Sequence, residues 1–190
     1  MEEQEPLSRR IISFLVDGAQ TILLAATVFL VIYIFLFRPF QVSGLSMYPN
    51  FDHGEFVLTS LISTRLEDPK RGDVIVFKSP IDKDKDYIKR VIAIPEDRVM
   101  IQEGSVYLNG EKLDESKYLA DDVKTYGGGY MQEGQEVTVP ENMYFMMGDN
   151  RSNSSDSREW GPIKKSEILG KSMFVYWPVN HARAVKNPQQ

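Results

Sequence analysis

Residues 18–37 form an uninterrupted run without a charged side chain, GAQTILLAATVFLVIYIFLF. At ~1.5 Å per residue, a helix of this length covers the ~30 Å hydrocarbon layer of a membrane. A cleaved secretory signal has a shorter apolar core of ~7–15 residues and a small-residue cleavage site after it, whereas Arg38-Pro39-Phe40 follows here. A buried core helix without a polar stripe would be unusual in so small a protein. We therefore expect an uncleaved transmembrane helix over 18–37.

The distribution of arginines around this run predicts its orientation. Arg9 and Arg10 precede it, and only Arg38 follows it before Arg65. Because positively charged flanks favour the cytoplasmic side, we expect a short cytoplasmic segment over 1–17. Residues 38–190 would then form one domain on the outer face of the cell membrane, held by a single span.

Composition excludes several functions for that domain. The chain has no Cys, so thiol catalysis, disulfides and thiolate metal sites are excluded. Only two histidines, His53 and His181, are available, and we expect neither a metal nor a cofactor. The net charge of −5 argues against nucleic acid as a partner, because phosphate binding depends on clustered Lys and Arg.

After the apolar run the dominant hydrophobic period is two, which is typical of strands. Glu103-Gly104 and Asn109-Gly110 are hairpin signals, and no long amphipathic helix or internal repeat is evident. We predict a mainly β fold, an antiparallel sheet or distorted barrel. The predicted strands are Glu55–Ile62, Asp73–Lys78, Tyr87–Ile94, Arg98–Gln102, Ser105–Leu108, Gln135–Val139, Met143–Met147 and Met173–Trp177.

One segment, residues 114–134, is charged, Tyr-rich and contains Gly127-Gly128-Gly129. A phosphate-binding loop needs a Lys and a Ser or Thr in register with its glycines, and these are missing. We expect a mobile hairpin or surface insertion here. Arg71-Gly72-Asp73 is interpreted as the turn that enters the strand Asp73–Lys78, not as an adhesion motif.

The segment 42–49, VSGLSMYP, is the first candidate for chemistry. Gly44 allows a sharp turn and Pro49 restricts the exit, so Ser46 could present its hydroxyl and its backbone N–H to a substrate. The alternative is a polar turn that closes the linker after the anchor. A serine also needs a base to become a good nucleophile.

Lys89 is the preferred candidate for that base. In the strand Tyr87–Ile94, Lys89 and Arg90 point to opposite faces that are otherwise apolar, so at least one cation is expected to be buried. Burial lowers the pKa of a lysine because the charged form loses its hydration. The alternatives are that Lys89 snorkels from an edge strand or pairs with a carboxylate. A Ser-His-Asp arrangement with His53 or His181 is less favoured, because both lie in polar surroundings.

The third candidate is residues 148–158, GDNRSNSSDSR, which contain no apolar side chain and follow the strand Met143–Met147. Such a loop is either a solvated connection or a set of short side chains that hydrogen-bond backbone and hold turns. Asp156 and Arg158 could pair, and a hydroxyl could orient the amine of the lysine.

These clusters together resemble the type I signal peptidases, membrane-anchored serine proteases that remove signal peptides from exported proteins. Ser46-Met47-Tyr48-Pro49 matches their Ser-Met-x-Pro motif, and Tyr87–Val91 matches the strand that bears their lysine. Residues 148–158 match a third motif, and Arg71-Gly72-Asp73-Val74 matches a structural one. The resemblance extends from the anchor to about residue 178, with the motifs in family order.

The resemblance implies Ser46 as nucleophile and Lys89 as general base, acting through an acyl-enzyme. It implies that Ser154 orients the lysine amine and that Asp149, Asp156 and Arg158 hold the shape of the site. The Ser46 N–H would donate to the oxyanion, but Gly44 stands where some members have a serine that donates as well. Ser43 is one residue away from that position. Glu96 likewise replaces a usual glycine in Ala93–Asp97.

The implied substrates are pre-proteins whose signal peptides end in a small residue, as in Ala-x-Ala. Such a substrate would add to the domain as an extended strand. Besides these pre-proteins we expect contact with membrane lipid, and a monomer. Candidates for either lipid contact or core packing are Met47, Tyr48, Trp160, Tyr176 and Trp177.

Two other functions were considered. A self-cleaving repressor shares a Ser-Lys arrangement but needs a DNA-binding domain before the serine, where this chain has its apolar run. A membrane-tethered, non-catalytic β module for binding or scaffolding is the remaining alternative. The loss of Ser46 or Lys89 would favour it, and both residues are present.

Overall fold

The computed structural model describes residues 6–187. Helix α1 extends over Leu7–Phe35, and its Leu7–Tyr33 part is long and apolar enough to cross a membrane, with an 18-residue window of mean hydropathy 2.0. The helix begins before the predicted span because residues 7–17 contain no Gly or Pro that would interrupt it. It ends short of the predicted residue 37, since Pro39 disfavours a helical conformation at Arg38. The helix and the domain from Arg38 onward are separate compact units.

The regular secondary structure of the rest of the described chain is mainly strand, with short helices at α2 (Ser63–Leu66) and α3 (Ser157–Trp160). Further single turns of 3₁₀ helix lie at Lys165–Glu167 and Val179–His181. The strands are β1 (Phe37–Gln41), β2 (Phe56–Ser60), β3 (Val74–Lys78), β4 (Asp86–Ala93), β5 (Arg98–Gln102), β6 (Ser105–Leu108), β7 (Glu111–Lys112), β8 (Glu136–Thr138), β9 (Met143–Met147), β10 (Ile163–Lys164), β11 (Ile168–Trp177) and β12 (Arg183–Ala184).

The strands form two sheets. The larger has the order β1-β2-β11-β3-β4-β9-β10, with β12 paired to β11, and the smaller has the order β7-β6-β5-β8. Every pair with a defined register is antiparallel, which confirms the predicted fold class. Pro39 lies in β1, an edge strand, where a missing N–H is tolerated.

The turns of the small sheet follow the sequence signals. Glu103-Gly104 and Asn109-Gly110 all have positive φ and join β5 to β6 and β6 to β7, as the two-residue hairpins predict. Glu96 also has a positive φ, of 71°. The turn therefore keeps a glycine-like backbone although a glutamate occupies it.

Three buried apolar clusters hold the domain together. One lies between the two sheets and includes Val99, Ile101 and Phe145. A second packs Met47, Phe51, Val57 and Val175 beneath the segment that contains Ser46. The third joins β3, β4 and β9, with Trp160 packed against it. The backbone on either side of Ser46 and Lys89 is thus anchored in apolar core.

The predicted and observed strands differ mainly at one long strand, β11, and at several very short ones. β11 begins at Ile168, before the predicted Met173, because β3 pairs with its first half while β2 pairs from Lys171 onward. β7, β10 and β12 were missed because two residues each give no alternation to detect, and β1 was missed because it contains Pro39.

Candidate active site

The segment around Ser46 is a tight, externally braced turn. Gly44 has a φ of +94°, the left-handed conformation predicted for a sharp bend at this position. Its backbone N–H donates to Nδ1 of His53 at 3.1 Å. Met47 is fully buried immediately after Ser46, so its side chain anchors the turn in the core. The Gly44–His53 hydrogen bond and the buried Met47 side chain fix the backbone on either side of Ser46, whose own side chain is half-buried.

Lys89 reaches this turn from strand β4. Its Nζ lies 2.7 Å from Oγ of Ser46 and donates a second hydrogen bond to the carbonyl of Ile88 at 3.1 Å. β4 is an interior strand, paired with β3 and β9, so the predicted edge-strand snorkelling of Lys89 does not occur. A serine hydroxyl and a lysine amine far apart in sequence are thereby in hydrogen-bond contact.

Burial changes the acidity of this lysine. Lys89 is only 4 % exposed, and burial lowers the pKa of its ammonium to about 8. The negative charges of Asp156 and Asp149 act in the opposite direction and raise that pKa, but desolvation outweighs them. A substantial fraction of Lys89 is therefore neutral near physiological pH, as a general base requires.

The segment 148–158 contacts the serine turn through its backbone and through Asn150. The N–H of Asn150 donates to the carbonyl of Ser46 at 3.0 Å, and its side-chain amide donates to the carbonyl of Leu45 at 3.0 Å. Gly148 has no room for a side chain, because a Cβ there would collide with Ser154 Oγ and with the Ser46 carbonyl oxygen. The two segments are therefore packed against each other at backbone distance.

Asp149 forms a buried ion pair with Arg90, the residue next to Lys89. Arg90 Nε and Nη2 donate to its two carboxylate oxygens at 2.8 and 2.7 Å, and Asn50 adds a bond at 2.9 Å. The Arg90 guanidinium also lies 4.4 Å from the centre of the Tyr118 ring. This network joins strand β4, the serine turn and the 148–158 segment.

Asp156 and Arg158 form a second buried pair, as the sequence suggested. Arg158 donates to both Asp156 oxygens at 2.8 Å, and Asp156 accepts the N–H of Gly148 at 3.0 Å. Arg158 also donates to the carbonyls of Tyr126 and Arg151. These bonds close the 148–158 segment into a compact loop, so it is not a solvated connection.

Ser154 is brought to the same place but makes no bond to the lysine. Its Oγ is buried, lies beside Gly148, and has no hydrogen-bond partner among the described residues. The two hydrogen bonds of Lys89 Nζ go to Ser46 and Ile88 instead.

A cleft of ≈ 400 Å³ opens at the Ser46–Lys89 pair. Apolar side chains from β1, β2, β3 and β4 line it, including Phe40, Val57, Val76 and Ile88. Ser43 also lines the cleft. Gly44, where some family members have a serine that donates to the oxyanion, offers no side-chain donor. The cleft can therefore take up small apolar groups next to the serine hydroxyl.

The two histidines have hydrogen-bond partners other than Ser46. His53 accepts the Gly44 N–H, and His181 Nδ1 lies 3.1 Å from a carboxylate oxygen of Glu55. Asp52, Glu55 and His181 bring potential metal-ligand atoms within 4.8 Å of one another. Arg183 already donates to both Glu55 oxygens at 2.7 Å, so this carboxylate is neutralised by a guanidinium. The cluster fits an ion-pair network better than a metal site.

Of the two structures expected for residues 114–134, a hairpin or a surface insertion, the hairpin is wrong. No strand is assigned in this part of the described chain, so it is not a hairpin. Glu115 pairs with buried Arg151, Thr125 accepts a bond from the same guanidinium, and Tyr130 donates its N–H to the Arg158 carbonyl. The segment is exposed in part, but its contacts cover the arginines of the 148–158 loop.

Several supporting residues were not singled out from the sequence. Asn50, Asn150, Glu115 and Tyr118 all contact the buried ion pairs or the serine turn, yet single polar residues in turns carry no periodic signal. Of the candidates for lipid contact, Met47 and Trp160 pack in the core. Tyr48, Tyr176 and Trp177 are exposed.

Comparison with known proteins decides the family. A family model described as Signal peptidase, peptidase S26 matches residues 15–177 of the chain. The chain belongs to the signal peptidase family. The resemblance seen in the motifs is therefore confirmed, and the protein is a signal-peptide-removing serine endopeptidase of the signal peptidase I type.

Two signal peptidases of Bacillus species are similar to this chain over most of its length. Signal peptidase I of Bacillus amyloliquefaciens is 35% identical over 97% of this chain and 98% of its own. Signal peptidase I S of Bacillus subtilis is 36% identical over 89% of this chain and 92% of its own. A crystal structure of a signal peptidase I from Enterococcus faecalis covers 55% of this chain and 97% of its own, at 29% identity and a TM-score of 0.45. The apolar helix α1 of this signal peptidase fits a single membrane span.

Proposed function

We propose that this signal peptidase cleaves pre-proteins with Ser46 as nucleophile and Lys89 as general base, through an acyl-enzyme. The observation that carries the proposal is the 2.7 Å contact between Ser46 Oγ and the buried Nζ of Lys89, whose pKa is lowered to about 8. A neutral amine in this position can take the hydroxyl proton, which a lysine with its usual pKa could do only rarely at pH 7.

In the first step Lys89 Nζ takes the proton of Ser46 Oγ while this oxygen attacks the scissile carbonyl carbon. The Ser46 N–H is free to donate to the oxyanion, as no protein acceptor is described for it. The Lys89 ammonium then gives its proton to the leaving amine, and the C–N bond breaks. Water, deprotonated by Lys89, attacks the resulting ester and releases Ser46, which recovers its proton from Lys89.

Ser154 is proposed to orient Lys89 once the amine is neutral. A neutral amine has two N–H donors and one lone pair, and the lone pair must face Ser46 Oγ for proton transfer. The Ile88 carbonyl accepts one of the two N–H groups. The unpartnered Ser154 Oγ offers an acceptor for the other. Asp149, Asp156 and Arg158 would act by holding the 148–158 loop against the serine turn.

The cleft supports a preference for small residues on the acyl side of the cleaved bond. Its apolar wall and ≈ 400 Å³ volume suit small side chains such as those of Ala-x-Ala better than charged ones. We propose that the substrate lies there as an extended strand. We further propose that residues 1–17 are cytoplasmic, that 18–37 cross the cell membrane, and that 38–190 lie on its outer face as a monomer in contact with lipid.

Cleavage of a signal-bearing precursor by the full chain in detergent tests this function. Wild type should release the mature protein, and Ser46→Ala and Lys89→Met should both lose this activity while keeping their β structure by circular dichroism. Ser105→Ala and Lys112→Met, in the small sheet, are matched controls that should keep it. Full activity in Lys89→Met would contradict the base assignment, and an intact precursor with wild type would favour the tethered module.

A further inference from the structure

A second concave surface of the domain shares no residue with the cleft. This groove has a volume of ≈ 1050 Å³ and lies between the start of β1, helix α2, the turn before β9 and the segment between β10 and β11. We call it the basic groove, because four cations line it, namely Arg38, Arg65, Lys164 and Lys165.

Three of the four cations of the basic groove have no acidic partner among the described residues. Arg65 and Lys164 are exposed and have no carboxylate partner among the described residues. Arg38 lies over the ring of Phe40, at 5.3 Å from its centre, instead of pairing with an acid. Lys165 pairs with Asp68, and Glu141 is the one acidic residue of the groove lining. The groove is therefore strongly positive on a chain whose net charge is −5.

The floor of the groove is apolar. Leu61, Met143, Ile168 and Leu169 line it and are partly buried. A ligand that matches both features carries a negative group for the cations and an adjoining apolar part for this floor. A free nucleotide or an acidic peptide would match the charges only.

The position of Arg38 in the chain indicates that such a ligand comes from the membrane surface. Arg38 follows Phe35, the last residue of α1, by three residues, and an extended chain covers at most ~3.6 Å per residue. If α1 is the membrane anchor proposed above, Arg38 lies within about 11 Å of the end of the span. Cations at this distance from a bilayer lie in the region of the phospholipid headgroups, where anionic lipids attract Lys and Arg.

We propose that the basic groove binds the phosphodiester headgroup of an anionic glycerophospholipid. Arg65 and Lys164 bind its phosphate oxygens, and the apolar floor accepts the glycerol and the first carbons of an acyl chain. The proposal rests on α1 being a membrane anchor, but not on the roles of Ser46 and Lys89.

The test is a calorimetric titration of the full chain, in a neutral detergent, with dihexanoyl phosphatidylglycerol. Dihexanoyl phosphatidylcholine is the zwitterionic comparison. The double variant Arg65→Gln/Lys164→Gln should bind phosphatidylglycerol about 30-fold more weakly, since each cation near an anionic lipid contributes about five-fold in affinity. The control Lys112→Gln/Lys124→Gln removes the same charge from exposed positions of another surface and should bind as wild type does.

Three results would overturn the proposal. Equal binding of the two lipids would show that the groove does not distinguish an anionic headgroup from a zwitterionic one. An equal loss in the control variant would show that only the net charge of the chain matters. Equal affinity for glycerol phosphate would identify a site for a free phosphate ester. Precursor cleavage without added lipid should be unchanged in the groove variant, so failure of the proposed catalysis and failure of the lipid site are separate outcomes.

Discussion

Lys89 and Arg90 are neighbours in β4, and both are buried, yet their surroundings are opposite. Arg90 has a carboxylate of its own, held by two hydrogen bonds from its guanidinium to Asp149. Lys89 donates only to a hydroxyl and a carbonyl, and the nearest acids act on it through space. Arg90 is therefore held in a buried ion pair, whereas burial lowers the pKa of Lys89 and favours its neutral form.

This difference separates a structural cation from the one that we propose to be reactive. A strand places consecutive side chains on opposite faces, so one strand can present both without their sharing a partner. The guanidinium suits the structural role because it stays protonated and matches a carboxylate with two bonds. The amine suits the reactive role because desolvation shifts its pKa readily. The following predictions change one side of this comparison at a time.

The largest effect is expected from Lys89→Arg, which replaces the proposed general base with a guanidinium. A guanidinium cannot accept the Ser46 proton, so precursor cleavage should fall by at least about a thousandfold. Single-turnover cleavage of a signal-bearing precursor measures this loss, with circular dichroism to check the fold. Activity above a tenth of wild type would mean that Lys89 does not act as the base.

Arg90→Met removes the structural cation and leaves Asp149 buried without its partner. Breaking a buried pair in this way should lower the free energy of unfolding by about 3–5 kcal/mol. Replacing both residues, as Arg90→Met/Asp149→Leu, should recover much of this loss, because no buried charge is then left. Urea unfolding of the three proteins measures these differences. Equal losses in the single and double variants would show that the network as a whole, not the unpaired charge, sets the stability.

Lys89→Met should stabilise the protein at neutral pH while it abolishes activity. The folded-state pKa of about 8 lies below the usual 10.5, so burial of the ammonium costs about 3 kcal/mol. Below pH 8 the whole cost is present, because both states are protonated. Between pH 8 and 10.5 the folded state loses its proton first, and the cost fades. Unfolding measured from pH 7 to 10.5 should show the advantage of Lys89→Met shrinking with pH, and a constant difference would argue against a buried ammonium.

The smallest effect is the pH dependence of the wild type. Below pH 8, kcat/KM should rise about tenfold per pH unit as Lys89 loses its proton, and it should level off above that value. Initial rates of precursor cleavage from pH 6 to 9 measure the profile. A rise centred near 6.5 would instead indicate a histidine.

The comparison also shows what a single sequence predicts about such a site. The alternation in Tyr87–Ile94 predicted that at least one cation would be buried, and both are. The sequence offered Lys89 as a candidate base for Ser46, and the family resemblance implied the pair. Period two has no information on which distant turn faces the strand, so the 2.7 Å distance between Nζ and Oγ comes from the tertiary structure. The hairpins of the small sheet were predicted more directly, since Asn109-Gly110 specifies its turn within two residues.

Residues 114–134 show where such reasoning fails. Their charge and glycine content are typical of a mobile insertion, but Glu115 and Thr125 meet Arg151 from another part of the chain. Contacts between polar residues far apart in sequence leave no local pattern. Asn150 was missed for the same reason, although it donates two hydrogen bonds to the serine turn.

The sequence by itself determined the apolar helix, the antiparallel β class, the tight turns and the residue types needed for a serine peptidase, because each depends on neighbours a few residues apart. Only the tertiary structure decided which cation is paired and which is not. Asp149 reaches Arg90 and not Lys89 because the two side chains leave β4 on opposite faces, where Asp149 meets Arg90 and Ser46 meets Lys89. Desolvation and charge act through space, so the acidity of Lys89 is a property of the folded chain.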